Sequence, residues 1–182
     1  MIQNPLHFGF ILSPAERAAR RRQNQNPGSY PIEADTLKRL PDEFTPAKRR
    51  QLLDQMVLSE TDKFTLPKYQ LVNVRTDVFD RAFDRTPDQY VGPGGTERAI
   101  GNRYQKALQF MRDALKNPHQ KIHAPLVVLS EDKDARGKTL PVISFHDGRH
   151  RYAVLRDIGM PIIAVGMHQD EIPLAKKYGF LA

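Results

Sequence analysis

The sequence contains no cysteine, which excludes disulfides, thiolate metal sites and every mechanism built on a cysteine nucleophile. It also lacks a long hydrophobic run. The apolar stretch Phe8 to Leu12 is far too short to cross a bilayer, shows no cleavage-site pattern, and has its basic residues on the wrong side for a secretory signal. A cytoplasmic protein without a membrane partner is expected. There is no internal repeat. Acidic residues are in the minority, with 28 Lys and Arg against 21 Asp and Glu, a formal charge of +7 and a pI near 9.7. That balance favours an anionic partner, DNA, RNA or a nucleotide, because a positive surface attracts phosphates. A basic protein with no nucleic-acid role is the plainer alternative.

What is present fits one folding unit. A chain of 182 residues, 40% hydrophobic and 27% charged, can bury a core of ordinary size. Ser13 to Gln23 opens with a capping serine, a proline at the first helical position and a glutamate in the first turn, which predicts a short helix. Asn24 to Pro31 carries Asn, Pro, Gly and Ser without apolar periodicity and reads as a linker. Residues 1–29 are therefore expected to form a basic arm, and residues 30–182 the domain. A helix is expected from Thr45-Pro46 to about Leu58, with Leu52, Leu53, Met56 and Val57 on one face. Tyr69 to Val74 alternates as a strand. Asp84 to Gly95 reads as a long loop around an exposed Tyr90, followed by a helix capped by Thr96. That helix carries Ile100, Tyr104, Ala107, Leu108, Met111, Ala114 and Leu115 as its apolar stripe and stops at Asn117-Pro118. Pro125 to Leu129 and Leu140 to Phe145 are expected to pair as antiparallel strands across a charged loop, Glu131 to Lys138. Arg149 to Ile158 reads as a helix stopped by Gly159, and Ile162 to Val165 as a last buried strand.

The segment Ile143 to Met167 is where chemistry concentrates: a strand, a loop with one glycine, a helix and another strand. Gly148 allows a sharp turn and close approach of a ligand, and the following helix start offers unpaired N–H groups and a positive dipole end. An anion is the natural ligand there. Arg149, His150 and Arg151 sit in the first turn, where the dipole disfavours cations unless an anion is near. Arg151 offers a fork of donors to phosphate oxygens, and His150 can donate to a phosphate or shuttle a proton. Asp147 can orient an arginine, bind a metal or act as a base, with an Asx-type turn as the structural alternative. Tyr152 and Ala153 read as packing residues. His146 and His150 are four apart, but the glycine loop between them means they need not share a face, so no metal site is assigned to them.

Ser144-Phe145 followed by Gly148-Arg149-His150-Arg151-Tyr152-Ala153 resembles the phosphate-binding signature of the ParB/sulfiredoxin superfamily, a strand leading into Gly-x-His-Arg at a helix start. The resemblance covers about Leu126 to Met167. It implies an α/β (α+β) fold with a small mixed sheet and helices mostly on one side. Sulfiredoxins carry their catalytic cysteine after the glycine, where this chain has Arg149, so sulfiredoxin activity is excluded. The Gly-Glu-Arg-Arg glutamate that handles CTP in ParB proteins is absent too. Free-serine kinases of this fold have an Asp-Gly-x-His-Arg version, similar to Asp147 to Arg151, but no second kinase element is found. What carries over is the phosphate grip of Gly148, His150 and Arg151.

Two further groups are candidates. The loop Tyr90 to Arg98, with Asn102 and Arg103 beyond it, is glycine-rich but lacks a Walker lysine. It is either a cover over the same ligand, with Arg103 as a second phosphate contact, or a plain connection. Arg17, Arg20, Arg21 and Arg22 form a candidate nucleic-acid arm, with a solvated helix face as the equal alternative. The expected function is hydrolysis of a nucleotide or nucleic-acid phosphodiester. Arg149, His150, Arg151 and Arg103 would grip phosphate, and Asp147, His146 or His150 would assist as acid, base or metal contact. The cofactor in that case is Mg2+ or Mn2+, with ATP or another nucleotide as ligand. The alternative is a non-catalytic DNA-binding regulator of plasmid or phage origin, resembling the fertility-inhibition members of the superfamily. An enzyme needs a convergent carboxylate, from Asp147, Glu97 or Asp77, and a binder needs only basic surface.

Overall fold

The computed structural model describes residues 13–17, 30–59 and 68–182. Residues 14–17 are helical, and Ser13 and Glu16 cap each other: the Glu16 N–H donates to Ser13 Oγ at 3.2 Å and the Ser13 N–H to Glu16 Oε2 at 2.7 Å. Two helices follow, α1 (Ala34–Glu43) and α2 (Pro46–Asp54). The second is shorter than expected. After Asp54 the chain turns into strand β1 (Met56–Val57), which pairs in parallel with β3 (Ile122–His123). Gln55 fixes the change, its side-chain amide donating to the Ala114 and Asn117 carbonyls.

The main sheet holds β2 (Tyr69–Arg75), β4 (Leu126–Lys133), β5 (Thr139–Asp147) and β6 (Ile162–His168) in the order β2-β6-β4-β5. It is mixed: β6 runs antiparallel to β2 and parallel to β4, and β4 and β5 form an antiparallel hairpin. The strands extend further than expected, so the turn between them shrinks to Asp134 to Lys138. Alternation divides the sheet into two faces. Val74, Ile163, Val165, Met167, Val127 and Phe145 are buried on one face, whereas Leu71, Asn73 and Val128 on the other are exposed or half-exposed. Helices α3 (Thr76–Phe83) and α5 (Arg149–Asp157) cover the buried face, where the rings of Phe79, Phe83, Phe145 and Tyr152 meet with centroids 4.6 to 5.7 Å apart. An α+β fold with a mixed sheet is thus present. No helix among the described residues is long and apolar enough to cross a membrane.

Helix α4 (Arg103–Lys116) starts six residues later than a cap at Thr96 implies, its N-cap being Asn102. Thr96 caps nothing; its hydroxyl donates back to the Pro93 carbonyl. Between them Arg98 has φ 48° and Gly101 φ 51°, left-handed conformations that a helix cannot contain. Ile100 leaves the apolar stripe and is 42% exposed. Tyr90 moves the other way: it is buried, 7% exposed, with Arg156 over its ring. Helix α6 (Ile172–Lys177) ends the chain's regular structure.

Candidate phosphate-binding cleft

Three short segments meet at a cleft of about 540 Å³. The first is the end of β5 and the start of α5. A bulge in the β4–β5 ladder sets Leu126 opposite Asp147 and Val127 opposite Phe145, leaving His146 as the extra residue. Such a bulge re-aims side chains. Asp147 lines the cleft, while His146 turns toward Tyr69, their rings 6.4 Å apart. Gly148 follows at φ 83° as the cap of α5. A Cβ there would stand 2.8 Å from both Pro125 Cα and Arg151 Nη2, so glycine is required by the chain's own packing before any ligand is considered. At the other end of α5 the Met160 N–H reaches the Leu155 carbonyl, and Gly159, at φ 81°, supplies the stop expected of it.

The second segment is one stripe of α4, with Arg103, Lys106, Ala107 and Phe110 facing the cleft. The third is the link between α4 and β3 together with β3 itself, which add Gln120, Lys121 and His123. Lys106, Phe110, Lys121 and His123 were not singled out by sequence reading. The first two share a helical face with Arg103, a signal that was available; the others arrive only through the β1–β3 pairing.

Charge in the cleft is lopsided. Arg103, Lys106, Lys121 and Arg151 face a single carboxylate, Asp147. Arg151 Nη2 lies 2.6 Å from Asp147 Oδ2. Burial raises the Asp147 pKa, but Arg151, the Gly148 N–H and Arg103 outweigh it and hold the carboxyl below its ordinary value. Arg151 Nε is buried and has no hydrogen-bond partner among the described residues. His150 is only 8% exposed, and its Nε2 accepts the Ile100 N–H at 3.0 Å. Burial first, then Arg149 and Arg103, push its pKa down to about 4, so the ring is neutral at physiological pH. With Nε2 taken as an acceptor, the remaining proton sits on Nδ1.

Other candidates lie elsewhere. Arg149 is not a cleft residue; its Nη2 points to the Arg98 carbonyl at 3.4 Å. Of the three candidate carboxylates only Asp147 is in the cleft, since Asp77 pairs with Arg75 and Arg81 and Glu97 is not part of its lining. The glycine-rich loop does not line this cleft. Gly94 donates its N–H to Asp157 at 2.8 Å, and Gly95 sits against Tyr104, where a Cβ would meet the ring at 2.9 Å. Arg17 pairs with Asp84 at 3.1 Å, its side chain 13% exposed, which directs this guanidinium into the fold. Arg20, Arg21 and Arg22 lie outside the described residues. No cluster of three His, Asp or Glu able to hold a metal occurs among the described residues. No protein-family model, curated protein or solved structure matches this chain.

Proposed function

We propose that the cleft between α4 and the Asp147 to Arg151 loop binds the phosphates of a nucleotide or nucleic acid, in the manner of a ParB-like domain. The observation that carries this reading is the cluster of Arg103, Lys106, Lys121 and Arg151 around one carboxylate, beside the N-terminus of α5. Four cations lining one cleft make it electropositive, which draws a phosphate toward the positive dipole end of α5. Arg151 is the natural first contact because it lines the cleft at the start of α5 and its guanidinium, held at Asp147 through Nη2, offers a planar fork of donors. His150 serves the loop as a positioning residue, tying α5 to the Ile100 segment. On this reading the protein grips DNA, RNA or a nucleotide, as a regulator of plasmid or phage origin would, without needing to cut it.

One observation favours a hydrolytic version. Asp147 is ionised and borders the phosphate loop, where it can share a Mg2+ or Mn2+ ion with a bound phosphate. Incubating the protein with labelled nucleotides and plasmid DNA, with and without these metals, separates the two. Binding without turnover in wild type supports the regulator; metal-dependent turnover that Asp147→Asn abolishes supports the hydrolase; absence of binding in every arm defeats both.

A further inference from the structure

Arg103, Lys106, Ala107 and Phe110 fall at i, i+3, i+4 and i+7 of α4 and so share one stripe of the helix, beside the buried stripe of Tyr104, Leu108 and Met111. The stripe changes character along its length, beginning with two cations and ending in an aromatic ring. Phe110 is 37% exposed, and of the four large hydrophobic side chains left exposed among the described residues it alone lines the cleft. At 1.5 Å per residue, Phe110 stands roughly 10 Å along the helix axis from Arg103. Along α4 the cleft lining therefore runs from a basic end that suits phosphate to an aromatic ring that phosphate does not use. Alternating cationic and aromatic groups are what an unpaired nucleotide requires, since its base has a face to stack and its phosphate a charge to neutralise. A duplex hides those faces inside its own stack.

We propose that the cleft takes an unpaired nucleotide, with its phosphate at Arg103 and Arg151 and its base stacked on Phe110. The nucleotide is either free or part of a single strand. This rests on the phosphate-binding reading above and narrows its ligand class.

The test is fluorescence anisotropy of the full chain with a short labelled single strand, its blunt duplex and an abasic strand of equal length. Unlabelled mononucleotide serves as competitor, and the variants are Phe110→Ala, Phe110→Tyr and Arg151→Lys. The ordinary strand is expected to bind about tenfold tighter than the abasic strand or the duplex. Phe110→Ala should lose on the order of tenfold, the scale of one stacked base, and Phe110→Tyr should retain affinity. Displacement by micromolar mononucleotide assigns the free nucleotide as ligand; displacement only by unlabelled strand assigns the strand. If Phe110→Ala binds as wild type does while Arg151→Lys is weakened, the base platform is wrong and the phosphate grip stands. If neither variant is weakened, both readings fall. The abasic comparison needs no substitution, and equal affinity for abasic and ordinary strands overturns the proposal by itself.

Discussion

Arg151 folds back over Gly148 so that its Nη2 rests 2.6 Å from Asp147 Oδ2, which means the guanidinium proposed to hold phosphate is already engaged by the cleft's own carboxylate. On the proposed reading a ligand phosphate competes with Asp147. Both side chains are partly exposed, at 26% and 66%, so the pair is worth at most about 1 kcal/mol. Asp147→Asn should therefore tighten phosphate binding by up to about fivefold. Calorimetric titration with inorganic pyrophosphate checks this, and weaker binding by the variant would mean that Asp147 helps hold the ligand.

His150 makes the fold sensitive to acid. Its pKa is depressed from 6.5 to about 4 in the folded chain, so the unfolded chain takes up the proton first. Stability from this group is complete above about pH 6.5, falls as the pH drops toward 4, and changes no further below that. His150→Gln keeps an acceptor for the Ile100 N–H but cannot titrate. Urea unfolding of both proteins between pH 7 and pH 4 should show a smaller loss in the variant; parallel profiles would remove His150 from the account.

A buried network locks the glycine-rich loop to α5. Asp157, its side chain 4% exposed, accepts hydrogen bonds from Tyr104 Oη at 2.6 Å, Gly94 N–H at 2.8 Å and Arg156 Nε at 2.8 Å. Arg156 also reaches Asp80 at 3.1 Å and the Val91 carbonyl at 3.0 Å. Removing one partner strands the others, so Asp157→Ala should cost about 3–5 kcal/mol and Tyr104→Phe about 1–3 kcal/mol. Thermal unfolding of the singles and the double reads the coupling, which should be well short of additive. Additive losses would mean that the two side chains act independently.

Gly148→Ala should damage the fold rather than the chemistry alone. The position is left-handed at φ 83°, costing an L residue about 1–2 kcal/mol, and the added Cβ would stand 2.8 Å from the Pro125 backbone. A clear drop in unfolding temperature without ligand is expected. An unchanged temperature would place the need for glycine in the ligand instead.

Where the sequence could be read, the physics was local. Gly148 before Arg149-His150-Arg151 marks a helix start, the two short Val- and Ile-rich runs of the β4–β5 hairpin flank a charged turn, and Gly159 ends its helix as glycine does. What escaped was decided by distant partners. Thr96 looks like a cap, yet His150, fifty residues on, takes the Ile100 N–H and the helix waits until Arg103. Met56 and Val57 continue a helical stripe, but β3 captures their backbone. Tyr90, in a loop full of glycine and proline, is buried because Arg156 and Asp80 meet it there. In the cleft, Arg103 and Arg151 were foreseen from charge and motif, whereas Lys121 and His123 owe their place to the β1–β3 ladder.

The phosphate grip itself is tested most directly by calorimetric titration of a short oligonucleotide into wild type and Arg151→Lys at several salt concentrations. Lysine keeps the charge but not the planar fork, so the variant should bind more weakly by about 1–3 kcal/mol while remaining folded. Wild-type affinity should fall steeply with salt as counterions released from the phosphates are returned. Equal affinity in the two proteins, or wild-type binding that ignores salt, would contradict a phosphate site at Asp147 to Arg151.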